Sequence, residues 1–425
     1  MKNKWCLFVV FYVSFHACLC AETLRLVNLV YRHGDRSPIE IFPKDVNQIE
    51  KWPQGLGWLS KIGMKQHYAL GQLLKTRYID TGFMKEEYRR YEISIESSDE
   101  DRCLMSAYSN LAGMYPPDDD QKFNHDIPWQ PIPVHTRPAY EDNMLNMGEA
   151  CPRYDELLEK TMETFAIQEE EKRNKMFYQY LGNVSGWDHE NISNIWRIAD
   201  TLYCEKSHNL TVNTWADQKW NNTQTVFEKL RKLENFQFTL LYNGSEMSML
   251  KGGPLLGRYI ENMKNKMQFL NVATRMYMYS GHDTTVAALL SALGLFNDVS
   301  PQYTATVVVE LHEDPSKSFY VNIFYKNQTY NDKFVPLTLP GCAFDCPFDQ
   351  FVKLTKGAVP TDWKRQCGYP EPKGKSGSSG LSTGWIVSIG LTGLLVVVLV
   401  VGITCVVKEQ RKHANMPYGR FDVSS

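Results

Sequence analysis

The chain has 425 residues, a formal net charge of -2 and 43% hydrophobic residues. That length allows roughly two domains with ample material for a core. The near balance of acids and bases leaves no basic stripe, which argues against nucleic acid as a partner.

From the amino end, Lys2 and Lys4 precede an apolar run from Trp5 to Phe15 and small residues around Cys18, Cys20 and Ala21. This is the layout of a cleaved secretory signal over residues 1–20. Leu24–Tyr31 reads as a strand, and Arg32-His33-Gly34-Asp35-Arg36-Ser37-Pro38 follows directly on it. Gly63–Tyr78 carries Met64, His67, Gly71, Leu74 and Tyr78 at three-to-four spacing and reads as a helix, with His67 a core histidine. Glu92–Glu96 alternates at period two, and Ser97-Ser98-Asp99-Glu100-Asp101-Arg102 follows this second strand.

His125 and His135 lie in a loop-rich stretch with Pro128, Pro131 and Pro133, and Asp118–Asp120 reads as a solvated turn. Residues 139–240, rich in Glu, Lys, Asn and Trp, read as a mostly helical insertion whose one clear strand is Phe236–Leu240. Met276–Tyr279 is a further strand, followed by Ser280-Gly281-His282-Asp283 and a helix over Val286–Leu295 that Thr284 or Thr285 can cap. Strands alternating with helices predict an α/β sheet, residues 21–138 and 241–368, with its ligands at the carboxyl ends of the strands.

Residues 369–384 form a Gly/Ser/Lys-rich stalk. Trp385–Val407 has no charged residue and is long enough to cross a hydrocarbon core of roughly 30 Å as a helix. Lys408, Arg411 and Lys412 follow at once, which places the tail, residues 408–425, in the cytosol and the body outside it, as a single-pass type I membrane protein. Sequons at Asn183, Asn191, Asn209, Asn221, Asn243 and Asn327 agree with that side. Of ten cysteines, Cys6, Cys18 and Cys20 fall in the signal and Cys405 in the span. This leaves Cys103, Cys151, Cys204, Cys342, Cys346 and Cys367 for an oxidising compartment, with about 15 connectivities open to three bridges.

If the three strands are parallel neighbours, their endings bring together Arg32, Arg36 and Arg102 with His33, His282 and Asp283. Arginine presents permanently charged, planar donors that match phosphate oxygens, and these can stabilise a transferring phosphoryl group. Histidine is the side chain most easily kept as a neutral nucleophile between pH 5 and 8, so His33 can attack phosphorus and split the hydrolysis into two easier steps. An alkoxide leaves poorly, and Asp283 can protonate it and then act as base toward water. A carboxyl acid with an ordinary pKa of about 3.9 predicts an acidic optimum. The rival reading, a metal-dependent hydrolase with His33, Asp35, His282 and Asp283 as ligands, is opposed by the adjacent fixed positive charges.

At these residues the chain closely resembles the histidine acid phosphatases of the lysosomal and prostatic type. The motifs are Arg32-His33-Gly34-Asp35-Arg36-Ser37-Pro38, Asp101-Arg102 with Leu104-Met105-Ser106-Ala107, and His282-Asp283-Thr284-Thr285. Further similarity runs through Trp52-Pro53-Gln54-Gly55, Trp129–His135 and Cys151-Pro152-Arg153-Tyr154. The resemblance implies the histidine phosphatase fold, a mixed, mainly parallel sheet flanked by helices with a smaller, mostly helical domain inserted. It also implies a phosphohistidine mechanism on phosphate monoesters that needs no metal or other cofactor, and a homodimer. Carried over by position, His33 is the nucleophile and Asp283 the proton donor, while Arg32, Arg36, Arg102 and His282 bind phosphate.

The family's bridges map to Cys151 with Cys367 and Cys342 with Cys346. Its third does not carry over, because the partner position of Cys204 corresponds to Thr306 and Cys103 stands where the family has Thr. Cys103 and Cys204 are then either both free thiols or an atypical pair, and the place of Cys103 beside the site favours free thiols. In the tail, Tyr418-Gly419-Arg420-Phe421 fits the signal read by clathrin adaptors and resembles that of the lysosomal member. The alternatives are a plasma-membrane ecto-phosphatase or ectonucleotidase of the prostatic type, and a non-catalytic ectodomain.

Overall fold

The computed structural model describes residues 24–188, 190–269 and 271–370. The signal, nearly all of the stalk, the span at 385–407 and the tail with Tyr418 and Phe421 lie outside the described residues. Among the described residues no helix is long and apolar enough to cross a membrane.

The organising element is β1 (Leu24–Arg32), whose residues from Leu26 onward are all buried. Strands covered on both faces read as continuous apolar runs, and β1 shows why. Val27, Leu29 and Tyr31 point into one cluster with Leu70, Leu74, Leu111 and Met114. Leu26 and Val30 point into another with Leu255, Tyr259, Val286 and Leu289. The first cluster is built on α1 (Lys61–Leu74), continued by a short π-helical turn over Lys75–Ile79, on β2 (Ile93–Ser98) and on α2 (Asp101–Met114).

The chain continues through a short strand β3 (His135–Arg137) into helices α3 (Pro152–Met162), α4 (Phe165–Ser185) and α5 (Trp196–Ser207). A two-stranded hairpin of β4 (Lys219–Trp220) and β5 (Gln224–Thr225) leads into α6 (Val226–Leu241). These helices bury their own cluster, with Phe177, Leu181, Ile198, Leu202 and Leu230, and Phe42 from the loop after β1 plugs into it.

Phe236–Leu240, read from its alternating aromatics as a strand, is the last turn and a half of α6. The helix is set upstream, where Thr225 and Glu228 form a reciprocal capping box and Val226, Leu230 and Leu233 are buried at helical spacing.

After α7 (Ser245–Gln268) come β6 (Met276–Gly281) and α8 (Asp283–Ala292), then β7 (Thr306–Glu313) and β8 (Phe319–Lys326). Two short strands, β9 (Val335–Leu337) and β10 (Cys346–Pro347), and helix α9 (Phe348–Thr355) follow. The sheet runs β10-β8-β7-β1-β6-β2-β3, with β9 on β8. Its β1, β6, β2 and β3 are parallel, and β7 to β10 are antiparallel additions.

The parallel register pairs Arg32 with Gly281 and Ser97 with Ser280, so β1, β6 and β2 end side by side. The residue capping α8 is His282, not Thr284 or Thr285; Thr285 instead accepts the His282 amide through its hydroxyl at 3.0 Å. Cys151 is bonded to Cys367 and Cys342 to Cys346, while Cys103 and Cys204 are free and buried.

Candidate active site

Three strand endings create the site. His33 leaves β1 with its amide bonded to Gly281 O at 2.9 Å, which fixes it against the end of β6. The turn that follows packs directly on the start of α1. A Cβ on Gly34 would meet Gly63 O at 2.5 Å and one on Gly63 would meet Asp35 O at 2.2 Å, so neither position takes a side chain.

His33 is 2% exposed, and its Nδ1 lies 2.8 Å from Gly34 O. A carbonyl only accepts, so Nδ1 carries the proton and Nε2 keeps its lone pair. Burial, then the charges of Arg32, Arg102 and Arg36, hold the ring well below the usual imidazole range. The ring is neutral, with the lone pair on Nε2.

The three arginines share one pattern. Arg32 gives one terminal nitrogen to Pro301 O at 2.6 Å and the other to Asp283 at 2.8 Å, and its guanidinium lies 4.5 Å above the Tyr303 ring. Arg36 grips both oxygens of Asp200 at 2.9 and 3.0 Å. Arg102 bonds Glu100 at 2.9 Å and turns its second terminal nitrogen toward Nδ1 of His282 at 3.5 Å. In each the Nε atom is buried without a partner. A buried charged donor left unpaired is costly, so each guanidinium is held by its far end with one donor edge reserved.

His282 Nε2 shares a 2.9 Å hydrogen bond with Ser98 Oγ, and burial, then Arg102, push its pKa down to about 3. Asp283 begins α8 beside it. Burial alone would raise its pKa, but Arg32, Arg36, His282 and the Thr284 amide at 2.8 Å together bring it below the ordinary value. All six residues expected to do chemistry, Arg32, His33, Arg36, Arg102, His282 and Asp283, therefore sit in one contiguous network.

Others do not join it. Asp35 turns away to accept Ser60 Oγ at 2.5 Å, with His208 Nε2 2.6 Å from the same oxygen. His67 is buried and bonds Arg32 O at 3.1 Å, propping the backbone from behind. Among the described residues no three His, Cys, Asp or Glu side chains are grouped as metal ligands. Cys103 rests 3.3 Å from Gly281 O, and its thiol is pushed up to about 12 chiefly by burial, which keeps it protonated at neutral pH.

Sequence reasoning missed Asp200, Ser98 and Tyr303. Asp200 had a usable signal, as an acid inside Ile198-Ala199-Asp200-Thr201-Leu202, a stretch buried throughout. Next to Tyr303, Thr304 has φ 60°, a rare conformation for a β-branched residue, and its amide reaches His33 O at 3.4 Å.

The model of the histidine phosphatase superfamily, branch 2, matches residues 23–326. Lysosomal acid phosphatase of Bos taurus is 41% identical over 351 residues, covering 82% of this chain and 81% of that protein. Prostatic acid phosphatase of Bos taurus is 38% identical over 356 residues, covering 83% and 90%. The solved phytase of Citrobacter braakii superposes with a TM-score of 0.60 at 17% identity, over 81% of this chain and 99% of that one, a likeness of fold.

Proposed function

The chain belongs to the histidine phosphatase superfamily, branch 2, and on that premise we propose that it is an acid phosphatase that hydrolyses phosphate monoesters through a phosphohistidine on Nε2 of His33. The observation that carries this reading is the state of His33, neutral and held by Gly34 O, beside three guanidiniums whose Nε donors are each left unpartnered.

In the first step the Nε2 lone pair forms the N–P bond as the ester P–O bond breaks. The leaving oxygen takes a proton from Asp283. In the second, water attacks phosphorus, gives its proton to Asp283, and the N–P bond breaks to release phosphate. Arg32, Arg36 and Arg102 hold the equatorial oxygens, and His282 donates from the rim once phosphate displaces its present contacts. Arg32, Arg36 and His282 favour the ionised form of Asp283. A phosphate dianion set against Arg32 competes for the charge that keeps it so, and this favours the protonated acid that the first step needs.

The wider reading is a luminal or extracellular body anchored by the span at 385–407. Glycans occupy Asn183, Asn191, Asn209, Asn221, Asn243 and Asn327, and two copies form a homodimer. A clathrin adaptor takes the protein to lysosomes through Tyr418 and Phe421. The names of the lysosomal relatives and the sequon density support it. The prostatic relative supports a cell-surface ecto-phosphatase instead. Rapid mixing with radiolabelled ester and an alkaline quench is expected to trap an acid-labile label on the chain, absent from His33→Ala. Wild-type turnover by that variant would rule the mechanism out.

A further inference from the structure

We infer that Asp200, on helix α5, is the positioning residue that aims Arg36 at phosphate, which makes the helical layer part of the phosphate-binding machinery. The inference rests on the reading of Arg36 as a phosphate ligand. The pair is almost dry, with side-chain exposures of 7% and 9%, and bidentate. Such a fork fixes both the plane and the roll of the guanidinium, which a single contact does not. With both terminal nitrogens engaged, the unpartnered donor is Nε. Asp200 Oδ2 also accepts the Ile39 amide at 3.1 Å, so one carboxylate ties down both the arginine and the loop that carries it.

The arrangement continues along one stripe of the helix. Positions 200, 204 and 208 are one turn apart and face the same way. Cys204 Sγ lies 3.6 Å from the Arg36 terminal nitrogen and 3.4 Å from Tyr303 Oη. His208, just past the helix end, approaches Asp35 at 2.6 Å. Beside the stripe, Glu205 accepts from Asn47 at 2.6 Å. Asp200, Cys204, Glu205 and His208 thus meet the loop that runs from the nucleophile to residue 47, and of these Asp200 and Cys204 touch Arg36, the phosphate ligand. Removing the Asp200 charge leaves a buried cation free to turn toward Cys204 or the Ser37 carbonyl, 3.1 Å from its terminal nitrogen, and away from substrate.

The test uses the full-length chain in detergent at pH 5, an aryl phosphate as substrate, inorganic phosphate as the binding probe and thermal midpoint as the control. Asp200→Asn keeps the volume and one acceptor. It is expected to raise the inhibition constant for phosphate and KM about tenfold or more, as loss of an aligned charge-assisted donor does. Asp200→Glu, which restores the charge one methylene out of place, is expected to lose at least about threefold. Glu205→Gln, on the same helix but away from the arginines, should leave both constants alone.

A lowered midpoint with phosphate inhibition within twofold of wild type in Asp200→Asn would reduce Asp200 to a structural residue. Tighter phosphate binding would mean that it only damps the charge of Arg36. Should Asp200→Asn fail to fold, wild-type inhibition in Asp200→Glu overturns the inference. Unchanged phosphate inhibition in Arg36→Ala would instead refute the assignment of Arg36 beneath it.

Discussion

Replacing Asp283 by Asn separates its two jobs. The carboxylate lies 2.8 Å from Arg32 and competes with substrate for that cation, and in its protonated form it must also deliver a proton to the leaving oxygen. The amide does neither. Arg32 keeps its bond to Pro301 O and its stacking on Tyr303, so its position survives. Phosphate binding should therefore be unchanged or tighter, while phosphoryl transfer to His33 falls by an amount set by the leaving group.

General-acid catalysis is worth roughly 10²–10⁴-fold, about 3–5 kcal/mol at 1.36 kcal/mol per tenfold, when the departing oxygen is strongly basic, and little when it is a stable phenolate. The assay is the single-turnover rate of label transfer to the chain across aryl and alkyl phosphates, which keeps the later water step out of the measurement. The wild-type rate should depend weakly on leaving-group basicity and the variant rate steeply. Equal loss across the series would show that Asp283 acts by holding Arg32 and not by moving a proton.

Glu205 and Asp45 meet between α5 and the loop after β1, each with a buried oxygen lacking any partner. Burial pushes Glu205 up to about 8 from an ordinary 4.5. A folded-state pKa raised above the unfolded one gives stability that is present below the unfolded value and lost as pH rises toward 8. The full shift is worth about 5 kcal/mol at 1.36 per unit, discounted here to about 2–3 for the solvent that reaches the pair. Between pH 5 and 8.5 the wild-type thermal midpoint should drop about 3–5 °C more than that of Glu205→Gln; parallel curves would contradict the assignment. Because His33 is held well below the ordinary imidazole value, kcat/KM should show no loss from protonation of the nucleophile between pH 6.5 and 5. A fall through that range with a midpoint near 6.5, persisting in Asp283→Asn, would count against a neutral His33.

What could be read from the chain was what the chain keeps together. β1 is apolar on both faces, and its ending carries two arginines and the nucleophile in five consecutive residues, so strand and chemistry announce each other. The endings of β2 and β6 were legible for the same reason, and their convergence needed only the parallel order that βαβ connections favour. The partners of the arginines were not. Asp200 lies 164 residues from Arg36, and local pattern says nothing of a contact made by packing one layer on another. Asp35 was a ligand only in the rival metal reading, and the backbone turns it toward Ser60. The disulfides came by resemblance, because cysteine spacing left the pairing open.

The paired arginines also bear on why such a site works in acid. Each guanidinium touches a carboxylate, Asp283, Asp200 or Glu100, so the pocket is not a bare excess of positive charge. An arriving phosphate must replace part of that neutralisation. Asp200, at 9% exposure and holding a backbone amide besides, is the least able to yield, whereas Asp283 is at 22% and Glu100 at 37%. Lower pH favours exchange at Asp283 twice over, since protonation frees Arg32 for the substrate and loads the acid that the leaving oxygen requires. The proposed nucleophile tolerates the same pH, because burial and the charges of Arg32, Arg102 and Arg36 keep a proton off His33. On the proposed mechanism an acidic optimum follows from the charge arrangement, with Asp283 titrating between Arg32 and the departing oxygen while Asp200 stays paired with Arg36.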